Sequence, residues 1–156
     1  MKKFLVVYFS ATGATKRLAE KLSEMLDADT FEIEPEIKYT ANDLVWPSKT
    51  NRAYREMKNK NFRPLVSRKL DNVDEYDNIF LGFPIWYNTA PTIINTFLEE
   101  NDLTGKKVYL FVTSGATKVD KSFKDLSNMY PNINFVGGKR FNGSFFKKDV
   151  YEWIHS

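Results

Sequence analysis

The sequence contains no cysteine and one histidine, and these absences remove several kinds of chemistry. Without a thiol the chain can form no disulfide, no thiolate zinc site and no cysteine nucleophile. The histidine, His155, is the penultimate residue. We therefore expect no metal site, and no side chain acting as a general acid or base.

Glycine and proline are also scarce, with 7 and 6 residues in a chain of 156. Together with a hydrophobic fraction of 42%, this composition excludes a collagen-like, low-complexity or disordered protein. A chain of this length can bury roughly 68 to 70% of the surface it exposes when unfolded. We expect residues 1–156 to form one globular domain.

Long hydrophobic runs are missing as well. No segment approaches the roughly 18 apolar residues of a membrane span. The run from Phe4 to Phe9 follows two lysines, but it is too short for the core of a signal peptide and no small-residue cleavage site follows it. We expect a cytoplasmic protein with no membrane partner.

Positive charge is unevenly placed, although the net charge is only +3. Residues 49–69 include eight basic residues and one acidic residue, Glu56, which gives this stretch a charge of +7. Such a stretch can attract nucleic acid or an acidic partner, but it is more often a solvated connection. We expect no nucleic-acid partner. The basic residues are Lys49, Arg52, Arg55, Lys58, Lys60, Arg63, Arg68 and Lys69.

Four short apolar runs without polar alternation are typical of strands covered on both faces. They span residues 4–9, 79–83, 108–112 and, more weakly, 133–136. Residues 30–33 are a plausible edge strand. The sequence therefore predicts five strands.

Segments with helical spacing of apolar residues lie between these strands. They span residues 15–26, 91–98, 120–130 and 144–154, with a weaker candidate at 48–60. Alternation of strands and helices requires right-handed crossovers. The predicted fold class is thus α/β, with a doubly wound parallel sheet between two layers of helices.

In such a sheet, ligands bind beyond the carboxyl ends of the strands. The first strand leads into SATGAT, where Ser10, Thr12 and Thr15 supply hydroxyls and Gly13 opens a helix. Free N–H groups, the helix dipole and hydroxyl donors at one point favour a phosphate. The alternative is ordinary helix capping, which needs only one hydroxyl.

Several phosphate-binding classes are excluded. The turn lacks both the G-x-x-x-x-G-K-[ST] pattern of P-loop NTPases and the G-x-G-x-x-G pattern of dinucleotide-binding folds. A receiver domain would need acidic residues where this chain has Phe9-Ser10 and Phe83-Pro84. No lysine or arginine occurs in the loop before Lys16, so we expect neutral donors to hold the phosphate.

The loops after the third and fourth strands can hold the rest of such a ligand. Trp86 and Tyr87 are adjacent aromatics that could stack on a flat ring system, although Trp86 could instead fill the core beneath the third helix. The segment from Thr113 to Ala116 is small and polar enough for its N–H groups to approach the polar edge of a ring.

The three loops together resemble those of the flavodoxin-like, FMN-binding family. YFSATGAT matches the family pattern [YF]-[FY]-S-x-T-G-x-[TS], and FVTSG matches F-x-T-S-G. GFPIWYNTAP follows G-[YF]-P-x-W-[WYF]-G-T-x-P at every position except Asn88. The resemblance covers essentially the whole chain, including YTANDLVW before the basic stretch. It implies a five-stranded parallel sheet of order 2-1-3-4-5 and FMN as the cofactor.

The resemblance also implies the roles of individual residues. The phosphate of FMN would be surrounded by Ser10, Thr12, Gly13, Ala14 and Thr15. The isoalloxazine would lie along Pro84, Ile85, Trp86, Tyr87 and Asn88, and its polar edge would face Thr113, Ser114 and Gly115.

Asn88 departs from the family pattern, which commonly has glycine after the aromatic pair. Asparagine is one of the non-glycine residues that best tolerate positive φ. In flavodoxins a peptide of this loop reorients on reduction, so that a carbonyl accepts a hydrogen bond from the flavin; Asn88 would leave this peptide less free.

Three functions are compatible with the sequence. The first is electron transfer between a reductase and an acceptor protein. The second is oxidation of NAD(P)H and reduction of a quinone or a similar small acceptor. The third is a non-catalytic binding module that uses the basic stretch for an acidic partner. Flavodoxins are typically acidic, so this stretch implies a different surface from theirs.

Overall fold

The computed structural model describes residues 4–45, 50–142 and 147–155, without the side chain of Ile154. It contains a five-stranded sheet of order β2-β1-β3-β4-β5 in which every adjacent pair is parallel. The predicted fold class and strand order are confirmed. The strands are β1 (Phe4–Tyr8), β2 (Asp29–Glu32), β3 (Asn78–Pro84), β4 (Lys107–Thr113) and β5 (Asn134–Phe141).

Helices cover both faces of this sheet, so the fold has three layers. In β1, Leu5 and Val7 pack on one face with α3 and α4, whereas Val6 and Tyr8 pack on the other with α1 and α5. This alternation explains why the strand is apolar throughout. The helices are α1 (Ala14–Leu26), α2 (Arg52–Lys58), α3 (Thr92–Glu100), α4 (Asp120–Met129) and α5 (Lys147–Ile154).

Three predicted helices lie close to their expected positions for identifiable reasons. Helix α1 buries the stripe of Leu18, Ala19 and Leu22 and ends at Asp27, which has a left-handed conformation. Pro91 caps α3 at its start, where its missing N–H leaves no helical hydrogen bond unmade. Helix α4 begins at Asp120, as expected.

Gly82 allows β3 and β4 to pack at the centre of the sheet. It lies opposite Phe111 in the register of the two strands. A Cβ atom on Gly82 would come within 2.1 Å of the Phe111 ring. The fully buried ring therefore occupies the space that any larger residue at position 82 would need.

Two predicted elements have different bounds in the structure. Strand β5 continues to Phe141, beyond the expected end at Val136, because the parallel pairing with β4 extends to Thr113. An edge strand needs fewer apolar residues than a central strand. The GGKR segment of β5 therefore shows no sequence pattern typical of a strand. Helix α2 spans only Arg52–Lys58 of the predicted 48–60; residues 48 and 49 lie outside the described part, as do 144–146 of the last helix.

The edge of the sheet beyond β2 is covered by a later segment of the chain. Pro35 and Val66 form an antiparallel bridge. The N–H of Glu36 donates to the carbonyl of Leu65 at 2.8 Å, and that of Ser67 donates to Glu34 at 2.8 Å. This pairing places the basic stretch on the same side of the molecule as the segment that follows β2.

None of the helices in the described residues is long and apolar enough to cross a membrane.

Candidate functional site

The loops after β1, β3 and β4 meet at the carboxyl edge of the sheet, because these strands are adjacent. The hydroxyl oxygens of Thr15 and Thr113 lie 2.8 Å apart and join the first loop to the third. The N–H of Ile85 donates to the carbonyl of Thr113 at 3.1 Å and joins the second loop to the third. The structure therefore brings together the three segments that the sequence singled out.

The first loop directs two backbone N–H groups at one point. Gly13, with a φ of 100°, turns the chain into α1. The N–H groups of Gly13 and Lys16 both donate to the Ser10 hydroxyl oxygen, at 3.1 and 3.2 Å. Ser10 thus caps the helix start, as the simpler interpretation predicts. The same convergent N–H groups are also the arrangement that an anion requires.

The three hydroxyls of this loop do not converge as the sequence suggested. Thr12 is exposed, whereas Thr15 is 1% exposed and its hydroxyl faces Thr113 inside the fold. The reason is that Thr15 lies in the first turn of α1, on the side that packs against the sheet. Ala14, the first residue of α1, is half-buried.

Cations lie beside the first loop, although none occurs within it. A Cβ atom on Gly13 would lie 3.6 Å from Nη1 of Arg17, so this guanidinium is close to the turn. A cavity of about 260 Å³ next to Ser10 and Ala11 is lined by Lys16 and Lys38 and also by Glu32 and Glu34. Cations are therefore close to this loop, and the expectation that neutral donors hold a phosphate stays a prediction.

The second loop is a tight hairpin turn. Trp86 and Thr89 exchange two backbone hydrogen bonds, of 2.9 and 3.1 Å. The two residues between them, Tyr87 and Asn88, have φ values of 49° and 73°. Positive φ at both central positions is characteristic of a type I′ turn. Asn88 suits this conformation, whereas an aromatic residue such as Tyr87 seldom adopts it.

Contacts on two sides hold this turn. The Tyr87 ring lies edge-on to Tyr54 of α2, with centroids 5.6 Å apart. Burial raises the pKa of Tyr87, and a hydrogen bond with Asn51 partly offsets this effect. On the other side, the Thr89 hydroxyl donates to the Asp125 carboxylate of α4 at 2.7 Å.

Asp125 is itself held by a cation. Lys121 donates to the same carboxylate oxygen at 2.7 Å. Burial alone would raise the pKa of Asp125, but the hydrogen bonds from Lys121 and Thr89 outweigh it and leave the pKa below its usual value. The carboxylate therefore stays ionised as the anchor of the turn.

Trp86 packs against the core and is half-buried. Its ring lies edge-on to Phe9 at 5.5 Å and to Tyr39 at 5.1 Å, measured between centroids. Edge-to-face contacts of this kind fix the orientation of an aromatic ring. The indole thus combines the two roles considered from the sequence: one side meets the core, and the rest of the side chain remains accessible at the loop.

A buried charged network lies beneath Trp86. Glu56, only 7% exposed, accepts a hydrogen bond from the Tyr39 hydroxyl and another from Nε of Arg52 at 2.8 Å. The Arg52 guanidinium lies 3.7 Å from the centre of the Tyr39 ring. Burial and the bond to Glu56 raise the pKa of Tyr39, so its hydroxyl remains a donor.

Arg52 also fixes the segment that carries Tyr39. Its Nη1 donates to the carbonyls of Ile37 and Lys38 at 2.7 and 3.2 Å. One residue of the basic stretch is therefore an internal structural cation rather than a surface charge. The orientation of Trp86 depends on this network through Tyr39.

The third loop is held by the last strand. Ser114 donates its N–H to Phe141 at 3.2 Å and its hydroxyl to Thr117 at 2.5 Å. Arg140 donates to the carbonyls of Ser114 and Gly115 at 3.1 and 3.3 Å. Within the described residues, the N–H groups of Gly115 and Ala116 have no protein acceptor. They are the backbone donors that this loop can offer to a ligand.

Comparisons with known proteins agree with this arrangement. A model of the family described as Flavodoxin matches residues 3–156. The chain belongs to the flavodoxin family. No curated protein matches it.

Solved structures include similar proteins. A protein from Bacteroides uniformis ATCC 8492, assigned as a flavoprotein, is 45% identical, with 99% of each chain covered and a TM-score of 0.95. A second, from Bacteroides eggerthii DSM 20697, is 40% identical over 99% of this chain and 97% of that one, with a TM-score of 0.95. A flavoprotein from Lactobacillus acidophilus NCFM in complex with FMN is 23% identical, with 99% of each chain covered and a TM-score of 0.75; at this identity it shows a similar fold.

The histidine of this flavodoxin-family chain lies away from the three loops. His155 lines a cavity together with Phe4 and Lys107, which begin β1 and β4 at the opposite edge of the sheet. In the described ranges, no group of three or more histidine, aspartate or glutamate side chains is arranged to hold a metal ion.

Sequence reasoning missed the residues that support the flavodoxin loops. Arg52 and Glu56 have the i, i+4 spacing of a helical ion pair, which could have indicated their contact. Tyr39 and Arg140 gave no such signal, because their partners are distant in sequence and belong to segments without periodicity.

Proposed function

We propose that the chain binds FMN at the carboxyl edge of the sheet and transfers electrons between a reductase and an acceptor protein. The observation that carries this proposal is the convergence of the Gly13 and Lys16 N–H groups on one acceptor oxygen at the start of α1. FMN, when bound, supplies the capacity to accept and release electrons, while the protein supplies binding and orientation.

The residues of the first loop fit a phosphate group. The two N–H groups are positioned for an anionic oxygen, and the exposed Thr12 hydroxyl can donate from the rim of the loop. The dipole of α1 and the nearby Arg17 both favour negative charge at this point. We propose Ser10, Thr12, Gly13, Ala14 and Thr15 as the phosphate site, with Thr15 supporting it from inside through Thr113.

The second and third loops fit a flat ring with one polar edge. We propose that Trp86 and Tyr87 line the ring, since both are oriented by aromatic contacts and by the turn that contains them. Pro84, Ile85 and Asn88 complete this side. We propose that Thr113, Ser114 and Gly115 close its polar edge, where the Gly115 N–H has no protein acceptor within the described residues. The complex of the Lactobacillus acidophilus flavoprotein with FMN supports this choice of cofactor.

The first test is a titration of the purified protein with FMN. We expect flavin absorbance near 450 nm to stay with the protein on gel filtration. Thr12→Glu should abolish this binding, because a carboxylate would lie against the phosphate. Thr12→Gln, with similar shape and no charge, is the matched control and should retain most of the affinity. Equal binding by both variants would refute the phosphate assignment.

The second test separates a carrier from an enzyme. The FMN-loaded protein is mixed with NADPH under anaerobic conditions, and the flavin absorbance is followed. For a carrier we expect slow bleaching with NADPH alone and fast bleaching when a reductase is added. Rapid bleaching by NADPH alone would favour an NAD(P)H oxidoreductase instead.

A further inference from the structure

Three of the eight basic residues in this stretch already form ion pairs within the fold. Arg52 pairs with Glu56 at 2.8 Å, Arg63 with Glu99 at 3.0 Å and Arg68 with Glu34 at 3.7 Å. In contrast, the exposed Arg55, Lys58 and Lys60 have no carboxylate within ion-pair distance among the described residues. Their charges are available to a partner.

These free cations lie beside the candidate FMN site. Arg55 and Lys58 are three residues apart on α2, on its exposed side. Lys58 is four residues from Tyr54, whose ring contacts Tyr87 in the second loop. Lys60 is close enough to Asp125, the anchor of that loop, to lower its pKa.

Exposed apolar side chains accompany these cations. Phe62 is 39% exposed and Met129, in the last turn of α4, is 48% exposed. Their chain neighbours Arg63 and Tyr130 both donate to the Glu99 carboxylate, so the two segments meet at the end of α3. Apolar groups within a charged rim are the usual composition of a transient protein interface. Arg55, Lys58, Lys60, Phe62 and Met129 together are called the basic face below.

The opposite edge of the sheet has the reverse charge. Carboxylates precede or begin β2 and precede β3 and β4 there, together with Lys106 and the exposed Lys107 at the start of β4. Among the described residues, this far edge therefore carries more carboxylates than cations. An anionic surface is drawn towards the basic face and repelled from the far edge. The carboxylates of the far edge are Asp27, Asp29, Asp71, Asp74, Glu75, Asp77 and Asp102.

We propose that the basic face is the docking surface for an acidic electron-transfer protein. This inference rests on the proposed function, because such a partner must approach the cofactor loops and the basic face adjoins them. The exposed Phe62 and Met129 favour a protein over a nucleic acid, whose phosphates would leave these apolar groups without a complementary surface. Charge complementarity requires a partner that has carboxylates where it contacts Arg55, Lys58 and Lys60.

The experiment maps binding by NMR on the ¹⁵N-labelled protein, both with FMN and without it. The probes are an acidic [2Fe–2S] ferredoxin, the basic protein cytochrome c, a short DNA duplex and NADPH. We expect the ferredoxin to perturb amides of the basic face at low ionic strength, and the perturbation to weaken as salt is added. Cytochrome c should leave these amides unchanged.

Two double variants of equal charge provide the comparison. Arg55→Gln with Lys58→Gln removes two cations from the basic face and should weaken ferredoxin binding about three- to tenfold. Lys69→Gln with Lys107→Gln removes two exposed cations elsewhere: Lys69 lines a cavity with Asp71 and Glu100, and Lys107 begins β4. This control should bind as the parent chain does.

Three results would overturn the docking proposal: perturbations outside the basic face, equal weakening in both double variants, or tighter binding of DNA or NADPH than of ferredoxin at the same residues. A different measurement shows whether the proposed function fails. A protein that takes up no FMN would refute that function, whereas the map on the FMN-free protein still tests the basic face.

Discussion

The hydroxyl oxygens of Thr15 and Thr113 lie 2.8 Å apart, although 98 positions separate the two residues in the sequence. Both side chains are buried, at 1% and 9% exposure. This bond joins the start of α1 to the end of β4. It therefore couples the loop proposed for the phosphate to the loop proposed for the ring edge.

Replacing both of these threonines should cost less stability than the two single replacements added together. Thr15→Val keeps the shape but leaves the Thr113 hydroxyl buried without a partner, so we expect the free energy of unfolding to fall by about 1 to 3 kcal/mol. The double variant with Thr113→Val should lose less than the sum of the single losses. Urea denaturation of the four chains measures this cycle, and strictly additive losses would contradict the coupling.

The stability of variants at position 88 should depend on how well the new residue tolerates a positive φ. Asn88→Ala places a less tolerant residue at a φ of 73° and should lower the free energy of unfolding by about 1 kcal/mol. Asn88→Gly should leave it unchanged or raise it slightly. Asn128→Ala, at an exposed position of α4, is the control. If the denaturation curves of the two Asn88 variants were the same, the type I′ assignment would be refuted.

The network beneath Trp86 should matter for both stability and cofactor binding. Glu56→Ala removes the acceptor of both Arg52 and Tyr39, and we expect the free energy of unfolding to fall by about 1 to 3 kcal/mol. Tyr39→Phe removes only one hydrogen bond and should cost about 1 kcal/mol while keeping the ring against Trp86.

FMN titration separates the two effects of this network. Tyr39→Ala should weaken FMN binding more than Tyr39→Phe does, because it removes the ring that orients Trp86. Glu36→Ala, exposed in the same segment, is the control and should leave the affinity unchanged. Equal affinity of the two Tyr39 variants would mean that Trp86 does not line the cofactor.

Gly82 should tolerate no larger residue while Phe111 is present. A methyl group at position 82 would overlap the Phe111 ring, so Gly82→Ala should lower the free energy of unfolding by about 1 to 3 kcal/mol. Gly115→Ala is the matched control, because a Cβ there meets nothing within 4 Å. Adding Phe111→Leu to Gly82→Ala should recover part of the loss; a further loss of stability would show that the ring is not the obstacle.

Stability should fall in alkaline solution, partly because of Tyr8. Burial, together with the neighbouring Glu32 carboxylate, raises the pKa of Tyr8 to about 12, against about 10 in the unfolded chain. Between these values the unfolded chain ionises first, so stability present below pH 10 is lost as the pH rises towards 12. Denaturation at several pH values should show this fall, and Tyr8→Phe should make it shallower. An unchanged slope in the variant would contradict the assignment.

The sheet and its order could be predicted because buried parallel strands leave a strong local signal. FLVVYF and VYLFV are apolar on both faces, and the helices between them show clear stripes such as Leu18, Ala19 and Leu22. The end of β5 could not be predicted, since its GGKR segment pairs only through its backbone with β4.

The positions of the loops could also be predicted, but not the contacts within them. Gly13 and Asn88 indicate turns by their own conformational preferences. The inward orientation of the Thr15 hydroxyl and the path from Glu56 through Tyr39 to Trp86 depend on residues that meet only in the folded chain. No local sequence pattern indicates such long-range contacts.

The hydrogen bonds of Arg140 and Phe141 with the third loop have a consequence for folding during synthesis of the chain. Ribosomes release the N-terminal parts first, and domains begin to fold as they emerge. The first and second loops are complete early, but the carbonyls of Ser114 and Gly115 find their partner only after Arg140 has left the ribosome. In a nascent chain that stops before β5, the loop proposed for the phosphate is present while the third loop lacks its partner. We therefore expect tight binding of FMN only after the last strand has been made.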